Sequence, residues 1–324
     1  MTRLRIGTRS TAMALAQTRE VIAQLKASDN SVEAELVKFS PAGDRDQVSR
    51  LETHGGKGGA FVGEIRDAMR QGRLEAAMHS LKDMPGDEEA PGLVIGAMLK
   101  REAAEDALVL RPDHSLEDFL ATRAAGLKIG TNSVRRAAYL RRAYPEAHII
   151  HFRGAADTRL RKLDEKTPQK LPGGGEVGPA DALVVAKSGL ERVGLGARVA
   201  KVFSHDEMLP AVGQGVVAVE CAANDWATRA ALAKIDHAKT RFRSEAEREM
   251  LWVLNGHCNA PIAGHAALEG DTLFLSGAVI SEDGRQIIEV SHQGPADRPR
   301  ELGRAAGLAL LNKGAATLIE AARR

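Results

Sequence analysis

The alternation of apolar runs and polar turns along the chain predicts a repeated strand–turn–helix unit. An apolar run around Ile6 leads into a hydroxyl-rich turn at Thr8–Thr11, and Ala12–Lys26 then carries apolar residues at helical spacing. The same order begins again at Leu127 and once more at His148. Strands that alternate with helices in this way are typical of α/β domains.

Further apolar runs predict additional strands in the first two thirds of the chain. They lie at Val32–Phe39, Glu75–Met78, Leu93–Met98, Ala107–Leu110, Asp181–Ala186 and Val216–Val219. A helix is expected over Val62–Gln71, and the glycine-rich stretch Lys170–Pro179 is expected to be a flexible surface insertion.

The pattern changes after Asn224. Phe242, Ala246 and Met250 mark one face of a helix, and a later helix carries Leu302 on its apolar face. Between these helices, strands are expected around Ala263–Leu268, Thr272–Ile280 and Gln286–Ser291. This succession predicts a small α+β domain at the end of the chain.

The stretch Met78–Pro85 places charged side chains at the end of a predicted buried strand. Lys82 and Asp83 come directly before Met84 and Pro85, and the proline excludes a continuing helix or central strand. In an open α/β sheet, ligands bind at the carboxyl ends of strands. A cation beside a carboxylate at such an end could bind an anionic ligand, but this stretch alone favours a solvated ion pair in a loop, and the rest of the chain has to decide between the two.

Arginines occupy turns that precede or open the predicted helices. Arg9 lies in the first turn, and Arg135 and Arg136 open the helix after the capping residue Ser133. Cations in the first helical turn oppose the helix dipole, and a bound anion would offset that cost. The pair therefore favours an anion site, whereas Arg9 alone fits a surface role or a carboxylate fork equally well.

Composition narrows the possible classes of protein. The 324 residues are 44% hydrophobic and 27% charged, which is typical of a globular protein of two or three domains. The net charge of +2 and the scarcity of aromatic residues, at 3%, argue against a nucleic-acid binder. With neither a signal-peptide pattern nor an apolar run of membrane-spanning length, we expect a cytoplasmic protein that binds no membrane.

The two cysteines differ in their surroundings. Cys221 ends a predicted strand and is expected to be a small buried residue, whereas Cys258 lies in a loop between glycine and proline. Both are expected to be free thiols, and the scattered histidines indicate no zinc site. The glycine-rich stretch His54–Phe61 lacks the spacing of a phosphate-binding loop, and it could close over a site or simply connect two elements.

Together these motifs resemble the porphobilinogen deaminase family over essentially the whole chain. The matching stretches are Arg5–Arg9, Gly55–Gly58 with Phe61 and Val62, His79–Pro85, Gly130–Arg136, Arg153 and Gly154 with Thr158–Leu160, Leu209–Gly215, and Glu220 with Cys221. They follow one another in the order found in the family. No single motif is specific, but their combination and order are.

The resemblance implies an enzyme that joins four porphobilinogen molecules head to tail, with loss of ammonia, into hydroxymethylbilane for tetrapyrrole and haem biosynthesis. It implies a dipyrromethane cofactor held through a thioether by the cysteine that Cys258 matches. Asp83 matches the carboxylate that stabilises cationic intermediates and passes protons. The positions implied for cofactor and substrate carboxylates are Arg9, Lys82, Ser133, Arg135, Arg136, Arg153, Arg159 and Arg192, with Thr11 and Gln214 as polar neighbours.

The resemblance also implies an α/β fold with two lobes, like those of periplasmic binding proteins, around a cleft and a small C-terminal α+β domain. The implied first domain comprises residues 1–105 and 201–222, the second 106–200 and the third 223–324. A monomer without metal is expected. The competing hypothesis is a non-catalytic anion-binding module of the periplasmic-binding-protein type, which would not need an exposed cysteine in a third domain.

The chain departs from the family pattern at three single positions and in one loop. Thr11 replaces a serine and keeps the hydroxyl, whereas Ala155 replaces an asparagine and removes a polar contact. His257 replaces a glycine before Cys258, and Gly58–Ala60 differs from the usual loop sequence. None of these changes removes the catalytic carboxylate, the cysteine or the arginines.

Overall fold

The computed structural model describes residues 2–46, 61–86, 90–171, 173–256 and 260–322. Cys258, His257 and the Gly55–Gly59 loop, on which three of the expectations above fall, lie outside the described residues.

Strands and helices alternate through the first two thirds of the described chain. The strands are β1 (Thr2–Arg9), β2 (Val32–Phe39), β3 (Ala76–Ser80), β4 (Leu93–Met98), β5 (Asp106–Leu110), β6 (Lys128–Gly130), β7 (His148–Ile150), β8 (Gln169–Lys170), β9 (Glu176–Val177), β10 (Ala182–Ala186), β11 (Lys201–Val202), β12 (Val217–Ala222), β13 (Ile262–Glu269), β14 (Thr272–Ile280) and β15 (Ile287–Pro295). The helices are α1 (Ala12–Ser28), α2 (Ala42–Arg45), α3 (Gly63–Arg70), α4 (Leu116–Ala121), α5 (Val134–Ala143), α6 (Ala156–Asp164), α7 (Lys187–Arg192), α8 (Trp226–Ala233), α9 (Ala238–Val253), α10 (Pro299–Asn312) and α11 (Ala315–Ala321). Among the helices of the described ranges, none combines the length and apolar character needed to cross a bilayer.

Two five-stranded mixed sheets form the cores of two α/β lobes. The first has the order β2–β1–β3–β12–β4, with β1 parallel to β2 and β3, and with β12 antiparallel to β3 and β4. The second has the order β11–β5–β10–β6–β7, with β6 parallel to β7 and β10. Because β12 returns to the first sheet after the second is complete, the first lobe is discontinuous. The predicted α/β class with two lobes is confirmed.

Local sequence explains where the helices of the two lobes begin. Thr11 caps α1, its hydroxyl accepting the Ala14 N–H, and Ser133 caps α5 in the same way. Val21 and Leu25 of α1 are wholly buried in the core of the first lobe. A polar cap before an amphipathic helix thus fixes the strand–turn–helix unit that the sequence pattern predicts.

A three-stranded antiparallel sheet, β13–β14–β15, forms the C-terminal domain together with α9, α10 and α11. Helices α9 and α10 approach closely through glycines of α10. A Cβ on Gly303 would lie 2.2 Å from the Ala246 carbonyl oxygen, and one on Gly307 would lie 2.7 Å from the Val253 Cβ. The predicted α+β domain is confirmed, with α11 as a further helix.

Three local features go beyond the expectations from sequence. Within the stretch Lys170–Pro179, which stays a predicted surface insertion, β8 and β9 pair as a short hairpin and Gly173–Gly175 adopt positive φ values. Strand β3 continues to Ser80, which pairs with Val217 of β12. Helix α4 was not predicted, since only the cap at Ser115 marks it.

The sheets also bear on the predicted domain boundaries. Strand β11 pairs with β5 of the second sheet, so a boundary after residue 200 cuts through that sheet. Helix α8 lies beyond the predicted boundary at 222, yet its Ala231 and Leu232 pack in the core of the first lobe. The division into domains stays a prediction. These contacts favour a second segment of the first lobe that begins after β11 and includes α8.

A buried ion pair joins the first lobe to the C-terminal domain. Arg101, which follows β4, pairs with Glu247 of α9, and both side chains are almost completely buried. The Glu247 carboxylate also accepts the backbone N–H of Gly213 at 2.8 Å and that of Ala266 at 2.8 Å. The Glu247 carboxylate therefore binds the loop before β12, strand β13 and Arg101 at the same time.

We predict that Glu247→Gln lowers the free energy of unfolding by about 3 to 5 kcal/mol, because it leaves the Arg101 charge buried and uncompensated. Urea unfolding followed by circular dichroism measures the change. Glu35→Gln is the control, since the Arg3–Glu35 pair is exposed and contributes about 1 kcal/mol or less. Equal midpoints for the two variants would contradict the prediction.

Candidate active site

Asp83 sits on a short 3-10 turn, Leu81–Asp83, at the carboxyl end of β3. The turn is anchored because the Leu81 N–H donates to the Val216 carbonyl oxygen at 2.9 Å and the Leu81 side chain is buried. Gly213 covers it with a φ of +72°, and a Cβ there would lie 2.8 Å from Leu81 Cγ. The Asp83 side chain stays 23% exposed, so its carboxylate can meet a ligand while its backbone is fixed.

Arg9 is the cation next to Asp83. Its Nη1 lies 3.5 Å from Asp83 Oδ2, and Nε and Nη2 donate to both oxygens of Asp44 at 2.8 and 2.5 Å. The guanidinium carbon also lies 4.1 Å from the centre of the Phe61 ring. Arg9 therefore packs into the cluster around Asp83 and is not an isolated surface arginine. Its partner Asp44 was not predicted from the sequence.

Asp106 at the start of β5 holds both arginines of α5. Arg135 Nη2 donates to Asp106 Oδ2 at 2.6 Å, and Arg136 Nε donates to Oδ1 at 2.8 Å. Gln214 Nε2 adds a bond to Oδ1 at 2.9 Å, and Asp106 has no exposed surface. Burial acts to raise the pKa of Asp106, but the two guanidiniums outweigh it and lower the pKa to about 2. The side chain is thus a carboxylate at neutral pH.

The Gln214 side chain links this cluster to the turn of Asp83. Its Oε1 accepts from Lys82 Nζ at 3.2 Å and from Arg136 Nη2 at 3.2 Å. Burial, with a further contribution from Arg136, lowers the pKa of Lys82 to about 7. A carboxylate ligand beside Lys82 would raise that pKa again, so binding is favoured when the lysine is charged.

Arg153 and Arg159 extend the cationic cluster along the second lobe. Burial, followed by the charge of Arg136, lowers the pKa of Arg159 to about 10, and Asp83 partly opposes this. Arg159 Nε is buried and lacks a hydrogen-bond partner among the described residues. Arg153 Nη2 donates to the Gly43 carbonyl oxygen at 3.3 Å, which brings it to the helix that carries Asp44.

The remaining predicted binding residues have structural partners of their own. Arg192 lies 2.9 Å from Glu102 and 3.5 Å from Glu20, two carboxylates of the first segment of the chain. Thr11 and Ser133 use their hydroxyls to cap α1 and α5. The structure therefore brings Arg9, Lys82, Asp83 and the α5 arginines together, but it does not join Arg192 to them by any described hydrogen bond or ion pair.

Among the described interactions of the assembled site, cations outnumber carboxylates. The cations are Arg9, Lys82, Arg135, Arg136, Arg153 and Arg159, and the carboxylates described as acting on them are Asp44, Asp83, Asp106 and Asp157. A ligand with several carboxylates fits three features: the positive excess, the lowered pKa of Lys82, and Arg159 Nε, which is buried and has no hydrogen-bond partner in the described part of the chain. Within the described residues, no group of three or more histidine, cysteine or acidic side chains is arranged to hold a metal ion.

Two family models match the chain. The model described as porphobilinogen deaminase, dipyromethane cofactor binding domain, matches residues 4–230, and that of the porphobilinogen deaminase C-terminal domain matches residues 241–312. The chain belongs to the porphobilinogen deaminase family. The first model ends at residue 230, within α8, and the second begins at residue 241, within α9.

Curated members of the porphobilinogen deaminase family align over nearly the full length of the chain. The porphobilinogen deaminase of Xanthomonas euvesicatoria is 40% identical over 319 residues, covering 98% of this chain and 99% of the relative. That of Syntrophobacter fumaroxidans is 38% identical over 317 residues, covering 98% and 97%.

Solved structures of other proteins resemble the chain more distantly. The methionine-binding protein MetQ gives a TM-score of 0.43 at 12% identity, covering 72% of this chain and 89% of its own. The ligand-binding component of an ABC-type import system from Staphylococcus aureus gives a TM-score of 0.39 at 12% identity, covering 79% and 74%.

The residues present fit the cofactor that defines the first porphobilinogen deaminase model. A dipyrromethane carries acetate and propionate groups, which match the cationic excess around Asp83. Lys82, Arg136 and Arg159 are candidates to bind those groups, because burial lowers the pKa of each and a carboxylate nearby would oppose that effect.

We predict that Asp106→Asn weakens porphobilinogen binding by about tenfold or more and destabilises the fold, because two buried guanidiniums lose their counter-charge. Steady-state kinetics give KM, and thermal unfolding gives the stability. Asp181→Asn is the matched control, since Asp181 pairs with Arg111 at 2.8 Å in the same lobe. The same KM in both variants would show that Asp106 is not needed for binding.

Proposed function

We propose that this chain is a hydroxymethylbilane synthase, which joins four porphobilinogen molecules head to tail with release of ammonia. Membership of the porphobilinogen deaminase family supports the reaction class. The observation that carries the assignment of the site is the cationic cluster around the single turn that bears Asp83. The remaining steps follow from the chemistry of these side chains.

The cationic residues bind carboxylates of the substrate and of the growing chain. Each porphobilinogen contributes an acetate and a propionate, so the bound chain becomes more anionic with each addition. A hydrogen bond to a charged group contributes about 1.5 to 3 kcal/mol, and several guanidinium forks can therefore retain the intermediates. We assign this role to Arg9, Lys82, Arg135, Arg136, Arg153 and Arg159, and propose that Arg192, Ser133, Thr11 and Gln214 assist.

Asp83 is the proposed catalytic carboxylate. Loss of ammonia from porphobilinogen leaves positive charge on the pyrrole, and a fixed carboxylate nearby stabilises that charge. The same oxygens can accept the proton that the attacked ring releases. Arg9, 3.5 Å away, and the anchored 3-10 turn hold the carboxylate in place, so that little reorganisation is needed during the reaction.

Cys258 is the proposed attachment point of the dipyrromethane, through a thioether. When bound, this group supplies the free pyrrole carbon to which the first substrate is joined. The chain on either side of Cys258 is well packed, since a Cβ on Gly256 would lie 2.3 Å from Leu251 Cδ1 and Ala260 is buried. Helix α9 and strand β13 thus hold Gly256 and Ala260, the described residues that flank Cys258 in the sequence.

The family comparison favours the enzyme over a non-catalytic anion-binding module. Both would use cationic turns between two lobes, but the matched model is that of a cofactor-binding domain, and the curated relatives are named for their enzymatic activity. We further propose a monomer that acts in the cytoplasm on a small-molecule substrate, with neither nucleic acid nor membrane as a partner.

We predict that Asp83→Asn lowers kcat by about two to four orders of magnitude, because the amide can neither balance the cation nor accept its proton. Product formation is measured under saturating porphobilinogen, and the intact mass shows whether the cofactor is present. The control is Asp29→Asn at the far end of α1, whose carboxylate pairs with Lys234. Turnover of Asp83→Asn close to that of the control would remove Asp83 from its role.

A further inference from the structure

Helix α5 is held at both ends by parts of the chain that are distant in sequence. Its first turn carries Arg135 and Arg136, which bind Asp106. Its last turns meet the hairpin turn between β14 and β15 of the C-terminal domain. The helix therefore connects the C-terminal domain with the carboxylate-binding cluster of the second lobe.

Gly284 is the point of closest approach between the hairpin turn and α5. It has a φ of +75°, and a Cβ there would lie 2.5 Å from the Ala138 carbonyl oxygen and 2.8 Å from the Arg142 nitrogen. Arg141 Nη1 donates to the Glu282 carbonyl oxygen at 2.6 Å, and Arg142 Nη1 donates to that of Gly284 at 3.4 Å. The two atoms nearest to an added Cβ are backbone atoms, so a change of side-chain rotamer would not relieve the clash.

The hairpin turn is itself stiff. The Ser281 N–H donates to the Gln286 carbonyl oxygen at 2.8 Å, and the Gly284 N–H donates to that of Ser281 at 2.8 Å. Side chains reinforce it, because Ser281 Oγ accepts the Gln286 N–H and Asp283 Oδ1 accepts the Arg285 N–H. Because these hydrogen bonds restrain the turn, we expect a steric clash at Gly284 to displace α5 and not to deform the turn.

Helix α5 is also packed along its length against the same sheet. Ala138 and Tyr139 share one buried core with Ala278 and Ile280 of β14. The position of α5 is consequently set by the C-terminal domain as well as by its own lobe. A movement at Ala138 reaches Arg136 directly, since only one residue of continuous helix, Ala137, separates them.

We propose that Gly284 is a positioning residue for carboxylate binding: the hairpin turn of the C-terminal domain sets the place of α5, and thereby that of Arg135 and Arg136 against Asp106. This inference rests on the function proposed above. Restoring ordinary contact after adding a Cβ at Gly284 would move the turn and helix apart by about 1 Å. Hydrogen bonds of 2.6 and 2.8 Å to a buried carboxylate do not tolerate such a shift.

The test compares Gly284→Ala with Gly270→Ala. Gly270 is at the other hairpin of the same sheet, between β13 and β14, with a φ of +56° and no atom within 4 Å of an added Cβ. Both variants impose a left-handed conformation on alanine, but only the first displaces α5. Three quantities are measured for each: the thermal midpoint, the mass of covalently attached cofactor, and KM and kcat for porphobilinogen.

For Gly284→Ala we expect a KM about tenfold to a hundredfold above that of Gly270→Ala, because misplacing a binding group by 1 Å has effects of this order. We also expect a lower fraction of chains carrying the cofactor mass. Equal KM and equal cofactor content in the two variants would overturn the inference. A wild-type chain with neither cofactor mass nor turnover would overturn the proposed function itself, and this inference with it.

A second variant covers the case in which Gly284→Ala does not fold. Replacing both Arg141 and Arg142 by methionine removes the side-chain hydrogen bonds to the turn without a steric clash. The same rise in KM, in smaller measure and with a thermal midpoint close to that of Gly270→Ala, supports the inference. An unchanged KM would overturn it.

Discussion

The burial of one carboxylate, Asp106, between two arginines is the interaction on which the site depends. Removing ions from water costs several kcal/mol for each ion, so such a cluster persists only if every charge is paired and hydrogen-bonded. Asp106 meets this condition through Arg135, Arg136 and Gln214. Because Gln214 also accepts from Lys82, the arrangement joins the second lobe to the turn of the first lobe that carries Asp83.

That pairing leaves the surrounding site positively charged. One carboxylate shared by two guanidiniums cannot neutralise both, and burial then depresses the pKa values of Lys82, Arg136 and Arg159. A ligand with several carboxylates would relieve this cost, and we therefore propose that this one site retains a chain that gains negative charge with each addition. Asp83, whose side chain is 23% exposed, is the carboxylate proposed to stabilise the cation formed from substrate.

Local features of the site could be read from the sequence, whereas its long-range partners could not. The strand end before Asp83 and the capped start of the helix that carries Arg135 are signalled within a few neighbouring residues. Asp44 and Asp106 carry no such signal, because their arginine partners lie about thirty or more residues away and only the folded sheets bring them together. Arg192 was assigned to the site from the family resemblance alone. In the structure it pairs with Glu20 and Glu102, which no local sequence pattern indicated.

The intact mass of the purified chain and of its Cys258→Ser variant tests the central claim most directly. The account predicts a wild-type mass above the sequence value by one dipyrromethane, and the sequence mass alone for the variant. This pair of results would establish the cofactor and its attachment point in one experiment. A wild-type chain of unmodified mass, unchanged after incubation with porphobilinogen, would contradict the account and favour an anion-binding module without catalysis.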